Sequence, residues 1–176
     1  MLSENIEKAL NDQLNREFFS SYYYLSMAAY FLSQNLKGFS HWMRIQAQEE
    51  TIHALKIYDF IDDRDGEIDL NAMDTPPKAW DTPLDVFQDA LKHEQKISNH
   101  IYELADLSLQ EKDHATNTFL QWFIAEQVEE EATAKEMIDT LKLIGNDGSG
   151  LFLLDRDLVQ RTLLASEADA DPAGDM

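Results

Sequence analysis

Glu17, Glu50, His53, Glu94, Gln127 and Glu130 are polar residues standing where helices need apolar ones. In QAQEETIHALKIY (46–58) and just beyond, Ala47, Ala54, Ile57 and Ile61 recur at helical spacing, and Glu50 and His53 fall inside that stripe. Glu17 lies between Leu14 and Phe18, Glu94 between Leu91 and Ile97, and Gln127 with Glu130 between Phe123 and Ala134. A buried carboxylate without a partner is costly or is driven to keep its proton. Several facing one another also repel, and a multivalent cation among them removes both problems. The spacing repeats: Glu17 to Glu50 is 33 residues, and Glu94 to Gln127 is 33. His53 follows Glu50 at i+3 and Glu130 follows Gln127 at i+3, so each pair shares one helical face. Glu…Glu-x-x-His is thus echoed by Glu…Gln-x-x-Glu, the pattern of a dinuclear carboxylate site. Carboxylates with one histidine suit iron or manganese better than zinc alone.

Four further residues flank this set. Tyr24 is two turns after Glu17 on the same face. Its phenol is placed either to donate an electron or hydrogen bond at the metal, or to pack in the aromatic run Tyr22-Tyr23-Tyr24. Glu49, Glu126 and Glu129 are turned from the first set by about a third of a helical turn. With Glu130 they form either a second, all-oxygen site or, as the run VEEEA (128–132) also allows, a charged face.

The elements that must position these residues are helices. The first runs from about Ser3, a candidate N-cap, to Gln34, with Leu10, Leu14, Phe18, Leu25 and Leu32 on one side. The second runs from about Phe39 to Asp65 and stops at Gly66. The third opens at Thr82-Pro83-Leu84-Asp85, a capping threonine with proline at the first helical position, and ends near Gln110. The fourth spans about His114 to Ile144, and GNDGSG (145–150) ends it. A short fifth helix is expected over about Leu154–Ala165, apolar enough either to self-associate or to fold back on its parent bundle. Residues 1–165 then form one domain, and 166–176 read as an acidic, flexible tail.

Four long helices predict an all-α four-helix bundle. The links within the first and last pairs are short, so each pair is antiparallel. The link 67–81 is different. Its 15 residues, with Pro76 and Pro77, can reach roughly 50 Å when extended. A helix of the second one's length spans roughly 40 Å. The link therefore favours one long crossover that leaves helices two and three parallel.

Composition bounds the rest. A chain of 176 residues, 44% hydrophobic, can bury a core. It has no cysteine, which excludes disulfides, zinc fingers and thiolate iron–sulfur clusters. A net charge of -20 repels nucleic acid and anionic membranes and attracts cations, and it also serves solubility. No apolar run approaches the ~20 residues of a membrane span, and MLSENIEKALNDQ lacks a secretory leader, so a soluble cytoplasmic protein is expected.

With these residues in view, the chain resembles the non-haem bacterial ferritins. The resemblance covers residue 3 to about 164 and is most specific in NREFFSSYYYLSMAAYF, RIQAQEETIHALKIYDFI and FLQWFIAEQVEEE. GNDGSGLFLLDRDL resembles that family's turn into its fifth helix. The resemblance implies a ferritin-like bundle, a homo-oligomeric shell of 24 subunits, and ferroxidase activity. Fe(II) would be oxidised inside each bundle by O2 or H2O2 and stored as a hydrous ferric oxide mineral. By position, Glu17 and His53 would hold one iron, Glu50 would bridge, and Glu94 and Glu130 would hold the second, with Gln127 near it. Glu49, Glu126 and Glu129, sharing Glu130, match that family's third iron site, and Tyr24 matches the tyrosine beside its centre. Bacterioferritins resemble this pattern but carry a second Glu-x-x-His and a haem-ligating methionine where this chain has Ile52, so no haem is expected. Small starvation-type ferritins lack the intrabundle set, and rubrerythrin-type proteins need cysteine. Outside iron storage, the same residues fit a smaller di-iron oxidase or oxygenase, or a purely structural bundle.

Overall fold

The computed structural model describes residues 2–163. It contains five helices: α1 (Glu4–Ser33), α2 (Lys37–Asp63), α3 (Pro83–Gln110), α4 (His114–Ile144) and α5 (Gly148–Leu158). Local chemistry sets most of the ends. Ser3 Oγ accepts from the Ile6 amide at 3.3 Å, Thr82 Oγ1 from Asp85 at 3.2 Å, and Asp113 Oδ1 from Thr116 at 3.1 Å. Three helices stop on a non-glycine residue in the left-handed region: Asn35 (φ 59°), Asp65 (φ 54°) and Lys112 (φ 60°). The amide after each closes back over the last turn, Leu36 to Phe31, Gly66 to Ile61 and Asp113 to Ser108. Gly66 thus lies just past the residue that turns the chain.

The long link is a crossover, and α1 is its rail. Asn11 Nδ2 donates to the Glu67 carbonyl (2.8 Å), and its Oδ1 accepts from the Asp69 amide (2.7 Å). Asn15 does the same one turn on, to the Asp69 carbonyl (2.7 Å) and from the Asn71 amide (2.8 Å). Further along, Ser26 Oγ donates to the Pro77 carbonyl. The link therefore travels from the start of α1 towards its end, and α3 begins there, parallel to α2. At the far end, Arg64 grips both Asp113 oxygens at 3.3 and 3.0 Å, fastening the end of α2 to the start of α4.

Two apolar clusters fill the ends of the bundle. One is aromatic, built on Tyr24, Phe31, Phe39, Trp42 and Phe87. The other is largely aliphatic, built on Ile6, Leu10, Leu14, Ile57, Ile61 and Ile101. Glu17, Glu50, His53, Glu94, Gln127 and Glu130 lie between them along the chain.

Two expectations need correction. Leu25 and Leu32 are 46% and 56% exposed, because α1 turns only a narrow stripe inward and both lie beside it. The fifth helix starts at Gly148, earlier than expected, because Asp147 Oδ1 caps the Ser149 amide at 3.0 Å and the glycines that read as breakers open the helix instead. It ends at Leu158; Leu164, Ala165 and the expected tail 166–176 lie outside the described residues. One face, through Leu151, Leu154 and Leu158, folds back on the aromatic cluster, while Phe152 and Leu153 are exposed.

α5 also supplies what α2 lacks. Leu36 cannot cap α2, and Asp155 Oδ1 accepts from the Gly38 and Phe39 amides at 2.8 and 3.0 Å instead. A Cβ at Gly38 would lie 1.6 Å from the Asp155 carbonyl oxygen, so only glycine admits this contact.

Candidate metal centre

The helices bring Glu17, Glu50, His53, Glu94, Gln127 and Glu130 together inside the bundle, and all six are buried. Glu17, Glu50 and His53 each offer a ligand atom within 4.8 Å of the others, and His53, Glu126 and Glu130 form a second such group. The two groups share His53, whose Nδ1 lies 3.8 Å from Glu50 Oε2. Glu17 Oε2 and Glu50 Oε1 are buried with no hydrogen-bond partner. Oxygens desolvated without a donor fit a cation, and the mixed carboxylate–imidazole donor set fits iron.

Electrostatics points the same way. Burial pushes the Glu50 carboxyl well above its ordinary range, and the charges of Glu94, Glu17 and Glu130 push it further. Burial raises Glu130 to about 8, with Glu94 adding to the rise. Glu94 rises only to about 7, because hydrogen bonds from Tyr24 and Gln127 oppose its burial. Without a cation, the group can relieve its charge only by holding protons.

Tyr24 donates its phenolic proton to Glu94 Oε1. Burial, then the charges of Glu94, Glu50 and Glu130, hold that phenol well above its ordinary value, so it stays protonated. Gln127 Nε2 faces Glu94 Oε2 at 3.2 Å, the Glu94 carbonyl at 3.3 Å and Ser98 Oγ at 3.3 Å. Glu49 is buried beside Glu50, Glu126 is half-buried and Glu129 is exposed. His93, next to Glu94 in sequence, turns elsewhere: it bonds Ser20 Oγ at 2.7 Å and stacks on Tyr23. Burial, then Lys96, lowers it to about 4, so it is neutral.

Three further residues at the site stand outside the set expected from the sequence. Gln13 Nε2 donates to Glu17 Oε1 at 2.6 Å, and Gln46 Nε2 donates to Glu130 Oε2. Both are buried in the helical stripes, four residues before Glu17 and Glu50 respectively. The signal that marks the glutamates marks these glutamines too. Arg161 reaches Glu49 Oε2 at 2.6 Å from beyond α5, and no periodicity announces it.

Fold and site together define the class: a four-helix bundle with a crossover, built around a carboxylate–histidine group of metal-ligating geometry. Residues 7–144 match the ferritin-like domain family. A Bacteroides fragilis (strain 638R) protein described as a bacterial non-heme ferritin is 43% identical over 161 residues, 92% of this chain and 100% of its own. A Staphylococcus aureus (strain MRSA252) protein of the same description is 41% identical over 162 residues, 92% and 98% of the two chains. Among solved structures, an open pore ferritin from the hyperthermophilic archaeon Archaeoglobus fulgidus aligns with TM-score 0.91 at 50% identity, covering 92% of this chain and 98% of that one. A closed form of the A. fulgidus ferritin, engineered by site-directed mutagenesis, aligns with TM-score 0.92 at 49% identity, covering 93% and 100%. The chain belongs to the ferritin-like family, and its function is iron storage. No described helix is long and apolar enough to cross a membrane.

Proposed function

We propose that each chain is a ferroxidase that oxidises Fe(II) inside its bundle and passes Fe(III) to a mineral held in a 24-subunit cytoplasmic shell. The observation that carries this is the convergence of buried carboxylates from four helices, with the oxygens of Glu17 and Glu50 left without donors. Glu17 and His53 bind one ferrous ion, Glu94 and Glu130 the other, and Glu50 bridges them. Protons held by the raised carboxyls leave as the ions enter. Each ion gives up one electron. The pair reduces O2 with two protons to H2O2, or H2O2 with two protons to two waters. Tyr24 positions Glu94 by donating its phenolic proton in a hydrogen bond to Oε1. Gln127 acts through Glu94, and its weak hold on the second ion eases release of the product. Glu49, Glu126, Glu129 and Glu130 make an outer position for a third ion, with exposed Glu129 on its solvent side.

The test adds excess Fe(II) in air and then sizes the protein while assaying iron in each fraction. Iron far beyond what the bundle can ligate, travelling with a very large particle, is the expected result. About two irons per chain on a small oligomer would instead mean a di-iron enzyme acting on another substrate. No retained iron would remove the metal reading altogether.

A further inference from the structure

Arg161 lies just beyond α5, yet its guanidinium sits beside the metal centre. Nη2 is 2.6 Å from Glu49 Oε2, on a carboxylate whose side chain is only 2% exposed. The guanidinium carbon lies 4.1 Å from the centroid of the Trp42 ring. His41 Nε2 is 2.8 Å from the Arg161 carbonyl oxygen, which pins the backbone of the arm. Upstream, Asp155 fastens α5 to the first amides of α2. The arm is therefore held at its root, along its backbone and at its tip. Nη1 is buried with no hydrogen-bond partner. A buried donor left unmade beside a group of carboxylates marks a cation placed for its charge more than for a complete set of bonds. That charge is felt at Glu130 as well.

A metal ion on either oxygen of Glu49 would stand close to this guanidinium, and beside so buried a carboxylate the two cations would repel. We propose that Arg161 is a tethered counter-cation of the outer position, which a divalent ion must displace from Glu49, so that the outer position fills after the inner pair. This rests on the outer position proposed above. An empty centre keeps Glu49 neutralised by the arm. Filling the outer position frees the guanidinium from Glu49 and from the face of Trp42. The order of filling thus comes from the chain's own cation.

The test is calorimetric titration of the assembled, iron-free protein with Zn(II), which binds without redox chemistry. Wild type is expected to show tight binding of the inner ions and a weaker class per chain. Glu49→Gln should lose the weaker class. Arg161→Gln should tighten it about tenfold or more, by removal of a charge-assisted hydrogen bond that the ion must break, and should move the tight ions less. Arg161→Lys, which keeps the charge, should stay close to wild type. A second readout keeps Arg161 intact. In a Trp122→Phe background, which removes the tryptophan packed on His53, tryptophan emission should change as the weaker class fills. A weaker class lost in Glu49→Gln but unmoved in Arg161→Gln overturns the inference and leaves the outer position standing. Filling of that class with no emission change overturns it too. A weaker class absent from wild type and Arg161→Gln alike removes the outer position, and the inference with it.

Discussion

The two helix hairpins carry the same pattern and treat it differently. In the α1–α2 hairpin, Glu17 and Glu50 each keep a buried oxygen without a donor, and His53 stands beside them. In the α3–α4 hairpin, Glu94 already takes hydrogen bonds from Tyr24 and Gln127, and Glu130 takes one from Gln46. Gln13 also donates to Glu17, yet the second hairpin's carboxylates take more donors from the protein than the first's, which keep two oxygens open to a cation. A repeated spacing therefore fixes where the carboxylates meet, while the donors around each set how strongly it would draw a cation.

Breaking the shared element should have the largest effect. Glu50→Ala removes the proposed bridge and is expected to slow Fe(II) oxidation, followed by stopped-flow absorbance, by on the order of a hundredfold or more. If Glu94→Ala proves the more damaging change, the ranking of the hairpins is reversed. Next, His53→Ala should weaken Zn(II) binding by about a hundredfold and Gln127→Ala by about tenfold or less, measured by competition with a chelator. Equal losses would erase the asymmetry. Gln127→Glu should oxidise its first ions normally and turn over more slowly, and faster turnover would count against a weak second side.

A pH series sharpens the contrast in the metal-free state. Folding raises Glu94 to about 7 and Glu130 to about 8, above their unfolded values near 4.5. Below the unfolded value both states hold the protons and the groups contribute nothing. As pH climbs through the interval, the unfolded chain gives up its protons more readily, so the folded state loses stability. The melting temperature of the metal-free protein should fall by several degrees between about pH 5 and 8, and Zn(II) should remove the fall. The smallest effect belongs to Tyr24→Phe. It takes one donor from Glu94, moves that carboxyl above about 7, and should slow initial oxidation only a few-fold at neutral pH, with the difference growing as pH falls.

Sequence legibility followed periodicity. α3 and α4 could be read to their ends, because Thr82-Pro83 is an unambiguous start and the Gly145 break an unambiguous stop. The inner carboxylates could be read because a charge inside an apolar stripe violates a simple expectation. Gln13 and Gln46 violate it too, but a neutral amide costs less to bury and draws less notice. α5 begins earlier than the sequence suggests because a glycine-rich segment serves equally to end one helix and begin the next. Arg161 and Glu49 are separated by 112 residues, and the contact depends on how an arm beyond α5 folds back. No local rule reaches that far.

The crossover has a geometric consequence for where chemistry can occur. Because it makes α3 run parallel to α2, the two hairpins point in opposite directions, related by a half-turn about an axis lying across the bundle. Such an operation sends every height in one hairpin to its mirror height in the other. Equivalent residues meet at a single level, the waist. Glu17, Glu50, Glu94 and Glu130 each lie within three residues of the middle of their helices. A short link would have allowed a shared level anywhere along the length. Here the route of one loop confines the site to the place farthest from both mouths.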